Sequence, residues 1–346
     1  MGLKWSWAWG PEIALVLENS SGWDLSSTSA NNIAPSASGG VAPEFTYAGS
    51  PTRYSLNMRG SSLARTPLGI GAPQGWLSSH WYLNNASPLW GYNFFQVTAT
   101  SNGRGIYAQG AGGNTLNLYV NNFFREQTTQ VFPSQTWHSI GIKYDMSGTT
   151  WSGQLWMNGV AVTSDWTDTG GVAQTSCYFQ ISGVINAGLA DGTFWSGLVH
   201  YDDMADPGST SRFVTRVSPT ADVSEVGSWS PASGGTAQTT ELASPLNTAT
   251  TVTDGTPASG DNVVLNVNNL GTQLGVTPNI YGVTAHGYAD GVGISIEAAV
   301  GEGATYTTGS SVVAGAATYA TATAPTKPAG GAWSSGDTVL LKFEVS

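Results

Sequence analysis

The 346-residue chain is predicted to be all-β, an antiparallel jelly-roll sandwich followed by a second, smaller β-sandwich. Three observations carry that expectation. Many short stretches alternate apolar and polar residues with period two, the pattern of half-buried strands. They are separated by Asn- and Gly-rich turn signals at a spacing of ~8 to 12 residues, as in sandwiches, with no convincing amphipathic helix between them. The composition agrees, with 45 Gly, 14 Trp and only 10% charged residues, against about 25% charged in ordinary soluble domains. Gly and Asn serve turns, while Trp, Tyr, Val and Thr favour pleated, half-buried positions.

In chain order, Trp5, Trp7 and Trp9 alternate with Ser6, Ala8 and Gly10 as an opening strand. Residues 19–43, rich in Ser, Asn, Ala and Gly, read as a long loop or a loop plus a short helix. Phe45, Tyr47, Tyr54 and Leu56 mark two short strands around Gly49-Ser50-Pro51. A run of hairpins starts at Gly75: GWLSSHWYLN, then GYNFFQVTAT, which Asn102-Gly103 turns into RGIYAQG. Gly110 to Gly113 lack the Lys and helix of a phosphate loop and form a hairpin loop. NTLNLYV and FFREQTT flank Asn121-Asn122, a pair that tolerates left-handed turn geometry.

Residues 136–159 are the most informative. His138, Ile140, Ile142 and Tyr144 make one largely apolar face, with Ser139, Gly141 and Lys143 on the other. Residues 145–148 break the strand. Leu155 and Met157 alternate with Trp156 up to Asn158-Gly159, the dipeptide suited to a type I′ turn, and residues 160–162 return antiparallel. CYFQISGVI and TFWSGLVHYDD complete the series.

Asp206-Pro207-Gly208-Ser209 closes the first domain, residues 1–208. Residues 209–250 are expected to be a linker with connecting strands, among them RFVTRV, and residues 251–346 a small C-terminal β-sandwich. Its strands are NVVLNVNNL, NIYGVTAHGYAD, VGISIEAAV, ATYATATAP and DTVLLKFEVS, the last alternating Val339, Leu341 and Phe343.

The formal net charge is −11, unevenly spread. Residues 1–218 carry nine Lys/Arg against twelve Asp/Glu, and residues 219–346 carry Lys327 and Lys342 against ten acids. Such a balance repels a phosphate backbone, so no nucleic-acid partner is expected. Cys177 is the only cysteine, so no intrachain disulfide forms, and its SCYFQI setting suits a small buried hydrophobe. The N-terminal residues have only a short apolar run at 13–17, too brief for a signal peptide or membrane span. Synthesis in a cytoplasm, no export by the general secretory route and no membrane partner are expected. MGLKWS matches a myristoylation pattern at Gly2 and Ser6, a short match of low specificity.

Trp137-His138-x-Ile140-x-Ile142-x-Tyr144, then Leu155-Trp156-Met157-Asn158-Gly159, then residues 194–203 ending in Tyr201-Asp202-Asp203 together resemble the core of the concanavalin A-like, laminin G-like jelly roll. The resemblance covers residues 1–206 and implies fold, not activity, because such sandwiches serve as lectins, adhesion modules, glycosidases and virion parts. Arg216-Val217-x-Pro219-x-Ala221-Asp222, then Trp229-x-Pro231-x-x-Gly234, then Ile280-Tyr281-x-Val283-x-Ala285-x-Gly287 resemble the C-terminal region of structural proteins of tailed bacteriophages and prophages. That region commonly follows a concanavalin A-like domain. Where the family shows a basic Ala-Arg-Lys-Asp, this chain has Ala285-His286-Gly287-Tyr288-Ala289-Asp290.

A glucanase on this sandwich needs two carboxylates about 5 to 5.5 Å apart, yet neither Glu-x-Asp-x-Glu nor Glu-x-Asp-x-x-Glu occurs, and Glu126 is the only glutamate between positions 126 and 206. No cofactor is expected. The one metal candidate is calcium on Asp202, Asp203 and Asp206, with Asp165 and Asp168 nearby in sequence, against a reading of these acids as turn caps. His80, His138, His200 and His286 are too scattered for zinc, and His138 and His200 sit inside strand patterns, as core or hydrogen-bonding histidines. Twelve Trp fall in the first domain. Trp81, Trp90, Trp151 and Trp166 are the candidates for stacking on sugar rings, whereas Trp137, Trp156 and Trp195 suit a core.

These observations imply a non-enzymatic structural component of a tailed-phage virion: a capsid decoration, fibre or tail-associated protein, assembled in the host cytoplasm and exposed on the particle exterior. Its expected partners are other virion proteins, copies of itself in a homo-oligomer such as a trimer, and a host surface glycan. The alternative is a carbohydrate-binding adhesion module, with a polysaccharide hydrolase behind it.

Overall fold

The computed structural model describes residues 3–7, 24–26, 33–36, 55–59, 63–66, 68–83, 93–183, 192–201, 219–231, 252–268, 280, 282–289, 294–309, 311–314 and 318–346. Among these residues there are strands, turns and loops and no helix. They fall into two compact units, one holding the described residues up to Tyr201 and the other those from Pro219 onward.

The first unit contains β1 (Leu3–Trp7), β2 (Asp24–Ser26), β3 (Ile33–Ser36), β4 (Ser55–Arg59), β5 (Leu63–Arg65), β6 (Gln74–Leu83), β7 (Asn93–Ala99) and β8 (Gly105–Ala111). It continues through β9 (Thr115–Val120), β10 (Phe123–Gln127), β11 (Trp137–Asp145), β12 (Trp151–Met157), β13 (Val160–Ala161), β14 (Trp166–Asp168), β15 (Cys177–Ser182) and β16 (Gly192–Tyr201). A nine-stranded sheet runs β13-β12-β11-β6-β16-β4-β3, with β1 also on β16 and β14 also on β12; a seven-stranded sheet runs β10-β9-β8-β7-β15-β5-β2. Every pairing is antiparallel, and sequence-distant strands lie side by side in both sheets, as the predicted jelly roll requires.

The core lies between the two sheets. Leu77, Trp81, Ile140, Ile142, Tyr144, Leu155 and Trp195 reach in from one; Phe95, Val97, Ile106, Leu118, Phe179 and Ile181 from the other. Phe95 and Trp195 stack across the gap, ring centroids 5.6 Å apart. The alternation expected for residues 138–144 is realised in β11, where His138, Ile140, Ile142 and Tyr144 are all buried. Asn158 (φ 49°) and Gly159 (φ 79°) both take the left-handed conformation of a type I′ turn, and so do Asn121 (φ 55°) and Asn122 (φ 66°). The Asn102-Gly103 turn differs: only Gly103 (φ 69°) is left-handed, and the Asn102 carboxamide instead accepts from the Arg104 amide at 2.9 Å. Cys177 is buried as expected, with its thiol donating to the Ala72 carbonyl at 3.1 Å. Burial pushes that thiol up to about 12, against a smaller opposing effect of the Tyr144 hydroxyl.

Residues 19–43 depart from the loop expectation, since they hold β2 and β3. The strands are only three and four residues long, too short for period-two hydrophobicity to give a signal there. Leu56 lies in β4, whereas Phe45, Tyr47, Tyr54 and the RFVTRV strand lie outside the described residues.

The second unit contains β17 (Ala221–Val226), β18 (Trp229–Pro231), β19 (Val252–Asp254), β20 (Asn262–Val267), β21 (Val283–Ala289), β22 (Ile294–Glu302), β23 (Thr305–Thr308), β24 (Val312–Ala314), β25 (Thr318–Ala324) and β26 (Val339–Val345). A six-stranded sheet runs β17-β20-β26-β22-β23 with β24 also on β22; β21 pairs with β25, and β18 with β19. The β21–β25 pair brings Ala285, Ala320, Ala322 and Ala324 onto a core with Ile296, Ala298, Val300, Val339 and Val345. Side chains this small let the two layers approach closely: a Cβ on Gly287 would come within 2.1 Å of the Phe343 ring. β26 lies inside the sheet between β20 and β22, as its alternation predicts. β17 and β18, within the segment expected to link the domains, pair with β20 and β19 and so belong to this unit.

Candidate functional site

Pleating decides which side chains leave the core. In β7, Phe95, Val97 and Ala99 are buried inward, which sends Gln96 and Thr98 to the outer face of the seven-stranded sheet. Ile106 and Ala108 of β8 do the same for Tyr107 and Gln109, and Leu116, Leu118 and Val120 of β9 for Asn117 and Tyr119. Cys177, Phe179 and Ile181 of β15 point in, so Tyr178 and Gln180 point out.

Register aligns these outward residues into rows across the strands. Phe124 lies opposite Tyr119, Tyr119 opposite Tyr107, Tyr107 opposite Gln96, Gln96 opposite Gln180, and Gln180 opposite Arg65. The Tyr107 and Tyr119 rings stack at 4.7 Å with 12° between planes, and Phe124 meets Tyr119 edge-on at 5.8 Å. Gln180 Nε2 donates to Gln96 Oε1 at 3.2 Å, and the Arg65 guanidinium lies 5.2 Å from the centre of the Tyr178 ring. Beside this row runs an amide row, Gln127, Asn117, Gln109 and Asn93, in which Gln109 Nε2 donates to Asn93 Oδ1 at 3.2 Å. Burial, with the neighbouring Tyr119 phenol adding to it, raises Tyr107 above the ordinary tyrosine value, so it is a neutral hydroxyl at physiological pH. Six strands span about 24 Å at ~4.8 Å per strand. Along these rows Phe124 and Gln127 are exposed and Tyr119, Asn117, Gln109, Asn93, Gln180 and Arg65 partly exposed, whereas Gln96 and Tyr107 are buried. The accessible part combines the Phe124 and Tyr119 rings with neighbouring amides, a chemistry that receives CH-rich faces and hydroxyl groups together.

The sequence-predicted residues fall elsewhere. Trp81 is 1% exposed, packed against Phe94 and His138. Trp151 is 0% exposed, its indole donating to the Val172 carbonyl at 3.0 Å. Neither offers a ring face to a ligand, because each occupies an inward position of its strand. Trp195 is core as expected, but Trp137 and Trp156 are only half-buried. They lie on the outer face of the nine-stranded sheet against Tyr82 and Trp76. Trp90, Asp202, Asp203 and Asp206 lie outside the described residues. Asp165 pairs with Lys143 at 3.0 Å, and Asp168 with Arg125. Among the described residues no group of three His, Cys, Asp or Glu could hold a metal ion. His138 and His200 are buried; His138 bonds the Pro133 carbonyl and His200 the Tyr144 hydroxyl.

Trp166 is 38% exposed on β14, where the edges of the two sheets meet. Its indole N–H donates to Glu126 Oε2 at 2.6 Å, and the same carboxylate accepts from the Ser164 amide at 2.8 Å. Asp168 joins Arg125, Asn121 and the Gly170 amide. Burial works to raise both carboxyls, but the hydrogen bonds from Trp166 and Ser164 outweigh it at Glu126, and those from Asn121 and Gly170 with the Arg125 charge outweigh it at Asp168, so both are held below their ordinary values. Depressed folded values mean stabilisation that is full above the ordinary carboxylate range and is lost as pH falls through the folded values. The melting temperature is therefore expected to fall between about pH 5 and pH 3, and a Glu126→Gln/Asp168→Asn variant to show a shallower fall in the same thermal-melt series.

No protein-family model and no curated protein matches the chain. Among solved structures it is similar to domain 4 of AbnA, a GH43 extracellular arabinanase from Geobacillus stearothermophilus in complex with arabinotriose, at 18% identity over 60% of this chain and 96% of that one, TM-score 0.37. It is also similar to the carbohydrate binding module CBM66 from Bacillus subtilis, at 8% identity over 47% and 91%, TM-score 0.29. Peanut lectin with a bound 9mer peptide matches at 9% identity over 51% and 95%, TM-score 0.30.

Proposed function

We propose that the outer face of the seven-stranded sheet binds a glycan, lying across the strands, and that the protein works by binding, not by catalysis. The observation that carries this reading is the continuous Phe124–Tyr119–Tyr107–Gln96–Gln180–Arg65 row, with a parallel row of amides beside it. Rings stack on the apolar faces of sugars, and carboxamides donate and accept toward hydroxyls in one plane. The non-catalytic reading is supported by Glu126, whose carboxylate accepts from Trp166 and Ser164 and is held ionised, the opposite of a general acid. Calorimetric titration of the purified chain with a panel of plant, bacterial-surface and mammalian glycans tests it. Saturable binding to at least one is expected, and no heat from any of them overturns the reading.

A second reading concerns the setting, and the resemblance of the C-terminal segments to tailed-phage structural proteins supports it. On this reading the chain is an exterior virion component, oligomeric, and its glycan is a host-surface one. Mass spectrometry of purified particles, with immunogold labelling of their surface, tests it; a chain missing from the particles contradicts it.

A further inference from the structure

The amide row beside the rings repeats once per strand and stays open to solvent. Gln127 of β10, Asn117 of β9, Gln109 of β8 and Asn93 of β7 lie opposite one another in register, Gln127 exposed and the other three partly exposed. Neighbouring strands are about 4.8 Å apart, so the four carboxamides span about 14 Å. That repeat is close to the advance of one sugar ring along an extended chain. Cross-strand bonds hold the side chains in place: Gln109 Nε2 donates to Asn93 Oδ1 at 3.2 Å, and Gln127 Nε2 to Thr115 Oγ1 at 2.7 Å. A carboxamide has two N–H donors and two lone pairs, so these three residues keep capacity for a ligand. Asn117 Oδ1 is buried, so that residue serves through Nδ2. The aromatic row reaches less far. Phe124 and Tyr119 offer rings over β10 and β9, whereas Tyr107 and Gln96, the next residues of that row, are each only 7% exposed. The face is therefore divided, with rings and amides over β10 and β9 and amides alone over β8 and β7. At its β10 end the row meets the sheet edge, where β10 pairs with β9 alone among the described residues.

We infer that this face takes a linear, extended oligosaccharide segment of four residues, one per strand from β10 to β7, and so selects ligands by chain length. The inference rests on the glycan-binding reading above. Two sugar residues stack on Phe124 and Tyr119, and the next two are held by hydrogen bonds to Gln109 and Asn93. Each added residue brings its hydroxyls to one more fixed amide, so affinity rises up to four residues and then levels, and a longer chain runs on past the β10 edge. A branched or coiled chain cannot keep the step of one residue per strand.

The test is calorimetric titration with cello-, manno- and xylo-oligosaccharides of two to six residues, all linear and extended. Wild type is compared with Gln109→Ala and Asn93→Ala, both at outward positions, and melting curves report folding. For at least one series, affinity is expected to rise about three- to tenfold with each residue from two to four, and to change less than about threefold beyond that. Gln109→Ala is expected to remove most of the rise between two and four residues, and Asn93→Ala that of the fourth, so the loss grows with chain length. A structural defect would instead weaken every length alike. Affinity that stops rising at two residues, or variants that weaken every length equally, overturns this inference and leaves the face a glycan site. If a variant does not fold, the wild-type length series decides alone. Binding to none of the three series also overturns the inference, and the wider glycan panel then decides separately whether the glycan reading stands.

Discussion

Replacing Tyr119, a partly exposed ring, with Ala is expected to weaken glycan binding roughly 10- to 100-fold with the sandwich still folded, and adding Tyr107→Ala, at a ring only 7% exposed, to bring binding below detection at a further cost in stability. The two rings form the flattest part of the outer row, stacked at 4.7 Å with their planes 12° apart. A pair of parallel rings is already fixed before a ligand arrives, so little side-chain entropy is lost on binding. Removing Tyr119 also takes away the partner that holds Phe124 edge-on at 5.8 Å, so the aromatic half of the row loses its middle. Folding depends on the opposite face of the same strands, where Leu118 and Ile106 are fully buried, and the cross-strand pair itself contributes only about 1 kcal/mol. Titration calorimetry and thermal melting on the same samples separate the two effects. Full affinity in the double variant would remove the aromatic row from the account.

Trp151→Ala has the reverse signature: a loss of about 3–5 kcal/mol in stability, the range for emptying a large aromatic site in a core. Trp151 is 0% exposed and its indole donates to the Val172 carbonyl, so the variant leaves a cavity and removes one of the donors to that carbonyl, which keeps the Gln174 side-chain amide at 2.8 Å. The Gly171 backbone lies against the same ring, close enough that a Cβ there would sit 2.4 Å from it. Trp81→Ala belongs in the same range, being 1% exposed against Phe94 and His138. Trp166→Ala, at the sandwich edge, is expected to cost far less. Urea unfolding midpoints rank the three, and a Trp151 variant as stable as wild type would contradict the placement of this ring in the core.

The fold was largely legible because its signals are local. The alternation of His138, Ile140, Ile142 and Tyr144 fixes an inward face wherever β11 pairs, and Asn158-Gly159 closes its hairpin by backbone preference alone. β2 and β3 escaped because they are only three and four residues long and are held as strands by pairing with β5 and β4, later in the sequence. The candidate site was not legible for a related reason. Tyr107, Tyr119, Gln96 and Gln180 are visible as outward residues of their own strands, yet only the pairing of β7 with both β8 and β15 places them in one row. Trp content pointed instead to Trp81 and Trp151, because a large aromatic ring suits a core and a sugar platform equally well in sequence, and only burial tells them apart. Stacked tyrosines with amides beside them in register are a more specific sign than tryptophan count.

The central claim is that ligand meets the outer face of the seven-stranded sheet, and side-chain amide NMR tests it most directly. On titration with a neutral oligosaccharide that binds, the NH₂ resonances of Gln96, Gln109, Asn117 and Gln180 are expected to shift together and saturate at one affinity, while that of Gln154, on the nine-stranded sheet, stays in place. Shifts confined to Gln154 and the indole N–H of Trp166, with the four outer-face amides unmoved, would contradict the account.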